Sequence, residues 1–83
     1  MKLKYFAWVR ERIGVPEEDV DLPASVDTVA GLKHWLAQRD EGYAYALENP
    51  AVVRVALDKK LADDNAPLGG ATEAALFPPM TGG

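Results

Sequence analysis

The chain has 83 residues, 48% of them hydrophobic, with a formal net charge of -4 and no cysteine. This length allows one small domain, and the acidic balance together with the lack of a long apolar run disfavours binding to nucleic acid or to membranes. The absence of cysteine excludes disulfides, thiolate metal sites and thiol nucleophiles, and residues 1–14 lack the apolar core of a signal peptide, so we expect a cytoplasmic protein.

The first predicted element is a strand over residues 2–9, which is rich in aromatic and β-branched side chains. One of its two alternating rows is predicted to face the core, namely Leu3, Tyr5, Ala7 and Val9. The other row contains Lys2, Lys4, Phe6 and Trp8. Gly14 and Pro16 then interrupt the chain, and residues 19–22 are predicted to form a short second strand before Pro23.

The main helix is predicted over residues 28–39. Asp27 or Thr28 can cap it, and its apolar face is formed by Val29, Leu32, Trp35 and Leu36. Residues 42–48 are predicted to form a second, short helix that ends at Pro50. The single histidine, His34, is predicted to lie on the helix surface, because no cysteine or second histidine could complete a metal site with it.

Three more strands are predicted, over residues 52–57, around Leu61 and over residues 72–77, with a loop at residues 63–70 in which Asp63 and Asp64 are solvated. This order of elements predicts an α+β fold, in which a mixed sheet carries the main helix on one face, the β-grasp arrangement. The first and last strands would then lie side by side and parallel at the centre of the sheet.

The last residues form a charge-free tail, Phe77-Pro78-Pro79-Met80-Thr81-Gly82-Gly83. The two prolines fix φ and remove two amide donors, so residues 78–83 are predicted to extend from a domain formed by residues 1–77. Gly82 and Gly83 carry no side chain, which would let an enzyme close around the main chain and reach the terminal carboxylate. Small residues are also common at frayed chain ends, so the tail alone does not fix a function.

Four segments, at residues 2–14, 28–36, 53–58 and 73–83, together resemble the small subunit of molybdopterin synthase, a family of ubiquitin-like sulfur carriers. Residues 2–14 are similar to the family's first strand running into a short helix, residues 28–36 to its main helix and residues 53–58 to its third strand. The specific segment is the last, in which a strand leads into Phe-Pro-Pro, two variable residues and Gly-Gly. The family usually has Gly-Asp-Glu-Val at the start of that strand, whereas this chain has Ala71-Thr72-Glu73-Ala74.

The resemblance implies that the carboxylate of Gly83 carries the chemistry. An E1-like adenylating enzyme would consume ATP to form a transient acyl-adenylate at Gly83. Sulfur from a separate donor, such as a cysteine desulfurase or a rhodanese-type protein, would then displace AMP and leave a thiocarboxylate. In the large subunit of molybdopterin synthase this group would give its sulfur to a cyclic pyranopterin, forming the dithiolene that binds molybdenum or tungsten. The chain would bind no permanent cofactor, and catalytic acids and bases would come from the large subunit.

Three apolar residues, Phe6, Leu61 and Phe77, occur in rows that are otherwise polar. Apolar residues gathered on the solvent face of a β-grasp sheet indicate a binding surface, although single surface apolar residues are common. The resemblance implies that these three contact both the activating enzyme and the large subunit. The tail residues that would follow them into the partner are Pro78, Pro79, Met80, Thr81 and Gly82.

Three other functions remain open. A sulfur carrier of thiamine biosynthesis would share the fold and the Gly-Gly end, but the segment from Phe77 to Pro79 argues against it. A ubiquitin-like modifier would join Gly83 to a lysine amine of another protein. An interaction module would leave the terminal carboxylate inert.

Overall fold

The sheet of the computed structural model, which describes residues 1–79, has five strands in the order β2-β1-β5-β3-β4. The strands are β1 (Lys2–Tyr5), β2 (Glu17–Asp19), β3 (Arg54–Leu57), β4 (Lys60–Ala62) and β5 (Glu73–Phe77). The helices are α1 (Ala7–Ile13), α2 (Val29–Ala37) and α3 (Glu41–Ala46), with a 3₁₀ turn at Pro50–Val52. No helix in this part of the chain is long and apolar enough to cross a membrane. The predictions on Met80, Thr81, Gly82 and Gly83 lie outside the described residues.

The predicted β-grasp arrangement is confirmed. Strands β1 and β5 are parallel neighbours, with Leu3 opposite Ala74 and Tyr5 opposite Leu76, and β5 is the central strand of the sheet. All four of these side chains are buried in the core that the sheet shares with α2. Because β5 is central, the segment that follows it leaves the sheet from its middle and not from an edge.

Helix α2 forms where the sequence predicts it. Thr28 is the N-cap, since its Oγ1 accepts a hydrogen bond of 3.0 Å from the backbone N–H of Gly31. Val29, Leu32 and Leu36 are fully buried, and Trp35 is half-buried against the core. The helix therefore covers one face of the sheet and leaves the opposite face without a helix.

The predicted strand over residues 2–9 is wrong in its second half, because β1 ends at Tyr5 and α1 begins at Ala7. Phe6 is still extended, and its N–H donates a 3.1 Å hydrogen bond to the carbonyl of Leu76. Ala7 has a left-handed φ of 51°, which turns the chain out of the sheet. Val9 is buried as predicted, but it reaches the core from a helix, and Ala7 is exposed.

Several other boundaries differ from their predicted positions. The second strand is Glu17–Asp19 and not residues 19–22, since its register sets Lys2 opposite Asp19 and Lys4 opposite Glu17. Pro50 begins the 3₁₀ turn instead of ending a helix, so β3 starts only at Arg54.

Lys33 is almost completely buried on α2, and its Nζ donates to Asp64 Oδ1 at 2.7 Å and to the Pro50 carbonyl at 2.9 Å. Asp64 is therefore one member of an ion pair, while its side chain stays 54% exposed in the loop that was predicted to be solvated.

A polar cluster around Glu18 connects β1, β2, α2 and α3. Its carboxylate accepts hydrogen bonds from Tyr5 at 2.7 Å, from Tyr43 at 2.5 Å and from Arg39 at 3.0 Å. Partial burial acts to raise the pKa of Glu18, but the hydrogen bonds from Tyr43, Tyr5 and Arg39 outweigh it and hold the pKa below its ordinary value. Burial and the hydrogen bond to Glu18 raise the pKa of Tyr43 to about 12. The cluster thus stabilises the fold through a charged Glu18.

Replacing Glu18 by Gln should lower stability at neutral pH and have less effect in acid. Hydrogen bonds to a charged group contribute roughly 1.5–3 kcal/mol each to stability, so we expect a loss of about 2 kcal/mol. Because the folded pKa lies below the unfolded value of 4.5, this contribution is complete above 4.5 and is lost as the pH falls through the folded pKa. Thermal unfolding of both chains across this range measures the difference.

The matched control is Glu17→Gln, because Glu17 is an exposed neighbour that pairs only with Lys2 at 3.4 Å. This change should alter stability by about 0.5 kcal/mol or less. Equal stability of the Glu18→Gln chain and the unaltered chain at neutral pH would show that the cluster does not stabilise the fold.

Candidate functional site

The face of the sheet opposite α2 is apolar along the middle of the strands. In the central row, Lys4 lies opposite Ala75, Ala75 opposite Ala56, and Ala56 opposite Leu61. Side chains of directly paired residues point to the same face of a sheet. Leu61 is 62% exposed, so the row ends in a large apolar side chain that no part of the described chain covers.

The next row lies at the end of the sheet from which the tail leaves. Phe77 is paired with Arg54 on β3, and Phe6 follows β1 on the other side of β5 with its N–H bonded to Leu76. Phe6 is 44% exposed and Phe77 is half-buried without joining the core cluster. The structure therefore brings the three predicted residues together on one surface, here called the docking face, formed by Phe6, Ala56, Leu61, Ala75 and Phe77.

Most charges on this side of the sheet are paired within the chain. Lys2 Nζ lies 3.4 Å from Glu17 Oε2, and Lys4 Nζ lies 3.2 Å from Glu73 Oε1. These pairs flank the apolar residues on the β1 side, where Asp19, opposite Lys2, adds an exposed acidic group. On the other side, Arg54 is exposed and forms no ion pair with any carboxylate among residues 1–79.

The root of the tail borders the docking face directly. Phe77 is the last residue of β5, Pro78 is half-buried and Pro79 is exposed. The predicted reactive residues Gly82 and Gly83, and the predicted contacts Met80 and Thr81, lie beyond the described part of the chain. The division into a domain over residues 1–77 and a tail over residues 78–83 stays a prediction.

The position of the β3–β4 hairpin, which carries Leu61, is fixed by Asp58. Its Oδ1 accepts hydrogen bonds from Thr72 N at 3.1 Å, Thr72 Oγ1 at 3.1 Å and Glu73 N at 3.0 Å. The hydrogen bond from the Thr72 backbone is the main cause that lowers the pKa of Asp58. Asp58 thus attaches the hairpin turn to the start of β5, at the place where Ala71-Thr72 replaces the usual Gly-Asp.

The other candidates singled out in the sequence carry no binding chemistry in the structure. His34 is exposed on α2, as predicted, and lies 3.4 Å from the amide nitrogen of Gln38. Among residues 1–79, no three metal-ligating side chains are gathered in one group. The docking face and the tail root, which comprises Phe77, Pro78 and Pro79, are therefore the candidate functional features.

Sequence reasoning missed Arg54 and the cluster around Glu18. Arg54 had a visible signal, because it is the charged residue within the alternating segment Val53 to Leu57 and so belongs to the exposed row. The Glu18 cluster had none, since its hydrogen-bonding members come from β1, α3 and the segment that follows α2, and they meet only in the folded chain.

Comparison with known proteins gives consistent matches over the whole chain. The ThiS family matches residues 3–83. The molybdopterin synthase sulfur carrier subunit of Escherichia coli (strain K12) is 35% identical over 83 residues, which are 100% of this chain and 99% of that protein. The protein of the same name from Haemophilus influenzae is 32% identical, with the same coverage.

Two solved structures share the fold. A Pyrococcus furiosus protein described as a molybdopterin converting factor, subunit 1, superimposes with a TM-score of 0.75 at 26% identity, covering 95% of each chain. SAMP1 from Haloferax volcanii superimposes with a TM-score of 0.70 at 28% identity, covering 100% of this chain and 98% of that one. The similarity thus extends through every element described above.

Proposed function

The chain belongs to the ThiS family, and from that membership we propose that it is the sulfur carrier subunit of a molybdopterin synthase. The observation that carries the proposal is the position of the tail root. Strand β5 runs through the centre of the sheet and ends at Phe77, directly beside an exposed apolar face. A partner that covers this face would receive the segment beginning at Pro78 in a defined direction.

The reactive group in this proposal is the α-carboxylate of Gly83. An E1-like enzyme transfers AMP from ATP to this carboxylate, with release of pyrophosphate, because a free carboxylate has no good leaving group. The terminal sulfur of a persulfide on a cysteine desulfurase or a rhodanese-type protein then attacks the acyl carbon, and AMP leaves. A second thiol attacks the donor cysteine's sulfur in the resulting acyl disulfide, so that a new disulfide forms on the donor side and the thiocarboxylate is released. The chain needs no cysteine of its own for this chemistry, which agrees with its composition.

The partner in the synthase is the large subunit. Phe6, Leu61 and Phe77 supply the apolar contacts, and Pro78, Pro79, Met80, Thr81 and Gly82 enter the partner so that Gly83 reaches the cyclic pyranopterin. The aromatic and proline side chains at the tail root contain no acid or base. In this proposal the chain therefore acts as the sulfur donor, and proton transfers fall to groups of the large subunit.

Reconstitution tests the proposal against its alternatives. The chain is incubated with ATP, an activating enzyme and a sulfur donor, and is then mixed with a large subunit and the cyclic pyranopterin. Formation of the dithiolene product supports the proposal. A loaded chain that transfers no sulfur to the pyranopterin would contradict it, and isopeptide-linked products would favour the modifier.

A further inference from the structure

Arg54 is an exposed cation beside the last residue of β5. It lies opposite Phe77 on the neighbouring antiparallel strand, and the Cβ atoms of such pairs are about 5 Å apart on the same face of the sheet. The lysines of this face are already paired with Glu17 and Glu73, whereas Arg54 has no carboxylate partner among residues 1–79. The guanidinium group therefore borders the docking face as an unpaired charge.

A candidate partner for Arg54 among residues 1–79 is Asp63, which follows β4. Asp63, Leu61 and Arg54 line the same open cleft of about 160 Å³, but Asp63 and Arg54 do not form an ion pair. The other two charges of this cleft, Lys33 and Asp64, are bonded to each other at 2.7 Å. Within residues 1–79, no carboxylate pairs with the Arg54 guanidinium, so in this part of the chain its side-chain donors are left to water.

A protein that covers the docking face removes water from Arg54. Taking a guanidinium out of water without an acceptor is strongly unfavourable, so the covering surface has to supply one. A carboxylate is the best match, since its two oxygens accept the parallel N–H groups of the guanidinium fork. The chain as a whole has a net charge of -4, so an acidic group of a partner meets attraction at Arg54 and repulsion over much of the remaining surface.

We propose that Arg54 is a partner-recognition residue and that the large subunit presents a carboxylate to it when the docking face is covered. This inference rests on the proposed function, because it takes the large subunit as the protein that covers the face. It adds a charged contact to an interface that otherwise consists of apolar side chains. The pair fixes which way the sheet face is oriented on the partner, and hence where Pro78 enters it.

The test compares Arg54→Gln and Arg54→Glu with the unaltered chain in binding to the large subunit. Loss of one member of a buried charge pair weakens binding by about tenfold or more, mainly through faster dissociation, so Arg54→Gln should do so. Arg54→Glu should weaken binding by roughly a further tenfold, because the introduced carboxylate would repel the carboxylate of the partner. The matched control is Lys60→Ala, since Lys60 is exposed and unpaired among residues 1–79 but lies opposite Leu57, on the other face of the sheet.

Several outcomes would overturn the inference. Equal affinities of the Gln and Glu variants would show that no carboxylate faces Arg54. An equal loss of affinity in Asp63→Asn would show that Arg54 pairs with Asp63 in the complex and not with the partner. An effect of the Arg54 variants on the activating enzyme alone would assign the contact to that protein instead of the large subunit.

The same measurements separate this inference from the proposed function. If Leu61→Ala weakens binding to the large subunit while Arg54→Gln does not, the docking face stands and only the role of Arg54 is wrong. If the unaltered chain does not bind the large subunit, the proposed function fails and this inference fails with it. Thermal unfolding of each variant confirms that the exposed substitutions leave the fold intact.

Discussion

A chain that lacks Gly83 should form no terminal thiocarboxylate and should unfold at the same temperature as the full chain. The acyl-adenylate and the sulfur both belong to the last carboxylate, and a shortened tail places that group one residue, about 3.5 Å, out of reach. A misplacement of about 1 Å in a catalytic site can already cost about 100-fold in rate, and one residue exceeds that displacement. The folded core should be unaffected, because all buried residues found within residues 1–79 lie at or before Leu76.

The measurement is the mass of the chain after incubation with ATP, an activating enzyme and a sulfur donor. A chain with one residue added after Gly83 should fail in the same way, since its carboxylate is displaced in the opposite direction. Lys60→Ala changes a residue outside the tail and the docking face, so it serves as the control and should load normally. Full sulfur loading of the chain without Gly83 would refute the mechanism.

Truncation of the docking face should weaken binding to the large subunit far more than it weakens folding. Desolvated anchor residues often contribute about 2 kcal/mol or more each to an interface, which corresponds to roughly 30-fold in affinity. Phe77→Ala and Leu61→Ala should each show a loss of this size. Because Leu61 is 62% exposed and neither side chain belongs to the core cluster, stability should change by about 0.5 kcal/mol for Leu61→Ala and only modestly more for Phe77→Ala.

Val15→Ala is the matched control for these two variants. Val15 is also an exposed apolar side chain, but it lies in the connection between α1 and β2 and not on the docking face. Its truncation should leave the affinity within about twofold of the unaltered chain. If Phe77→Ala and Leu61→Ala bind as well as Val15→Ala, or lose affinity only because they unfold, the proposed face is wrong.

The sheet could be predicted from the sequence largely because its central strands alternate cleanly. In β5, Ala74 and Leu76 face the core while Glu73 and Phe77 face outward, and this period places Phe77 on the exposed side without any structure. The same reasoning located Leu61, although it could not show that Leu61 shares a row with Ala56 and Ala75. That fact depends on strand register, which distant parts of the chain decide.

The alternation pattern does not reveal helix α1, because alternation and helical periodicity agree over short stretches, whereas the resemblance places a short helix within residues 2–14. Val9 is apolar in either reading, and a strand over residues 2–9 accounts for it. The helical signal was present in Val9 and Ile13, which are four residues apart, and in Gly14, whose φ of 100° and bond to the Arg10 carbonyl end the helix. The left-handed turn at Ala7 that separates strand from helix has no signature in an alanine.

The short strand β2 was misplaced for a different reason. Its residues Glu17, Glu18 and Asp19 have low strand propensity, so the apolar residues after them, Val20 and Leu22, look more like a strand. Pairing with β1 overrides this preference, because Glu17 forms an ion pair with Lys2. The Glu18 carboxylate also accepts hydrogen bonds from Tyr5, Tyr43 and Arg39. Tertiary contacts therefore decided a position that local sequence could not.

The most direct test of the account is the mass of the intact chain isolated from cells that are making the molybdenum or tungsten cofactor. We expect a fraction of the chain in which one oxygen of the Gly83 carboxylate is replaced by sulfur, and fragmentation should place this change on the last residue. The fraction should fall when the activating enzyme is absent. A chain that carries only the ordinary carboxylate in such cells, with or without the activating enzyme, would contradict the account.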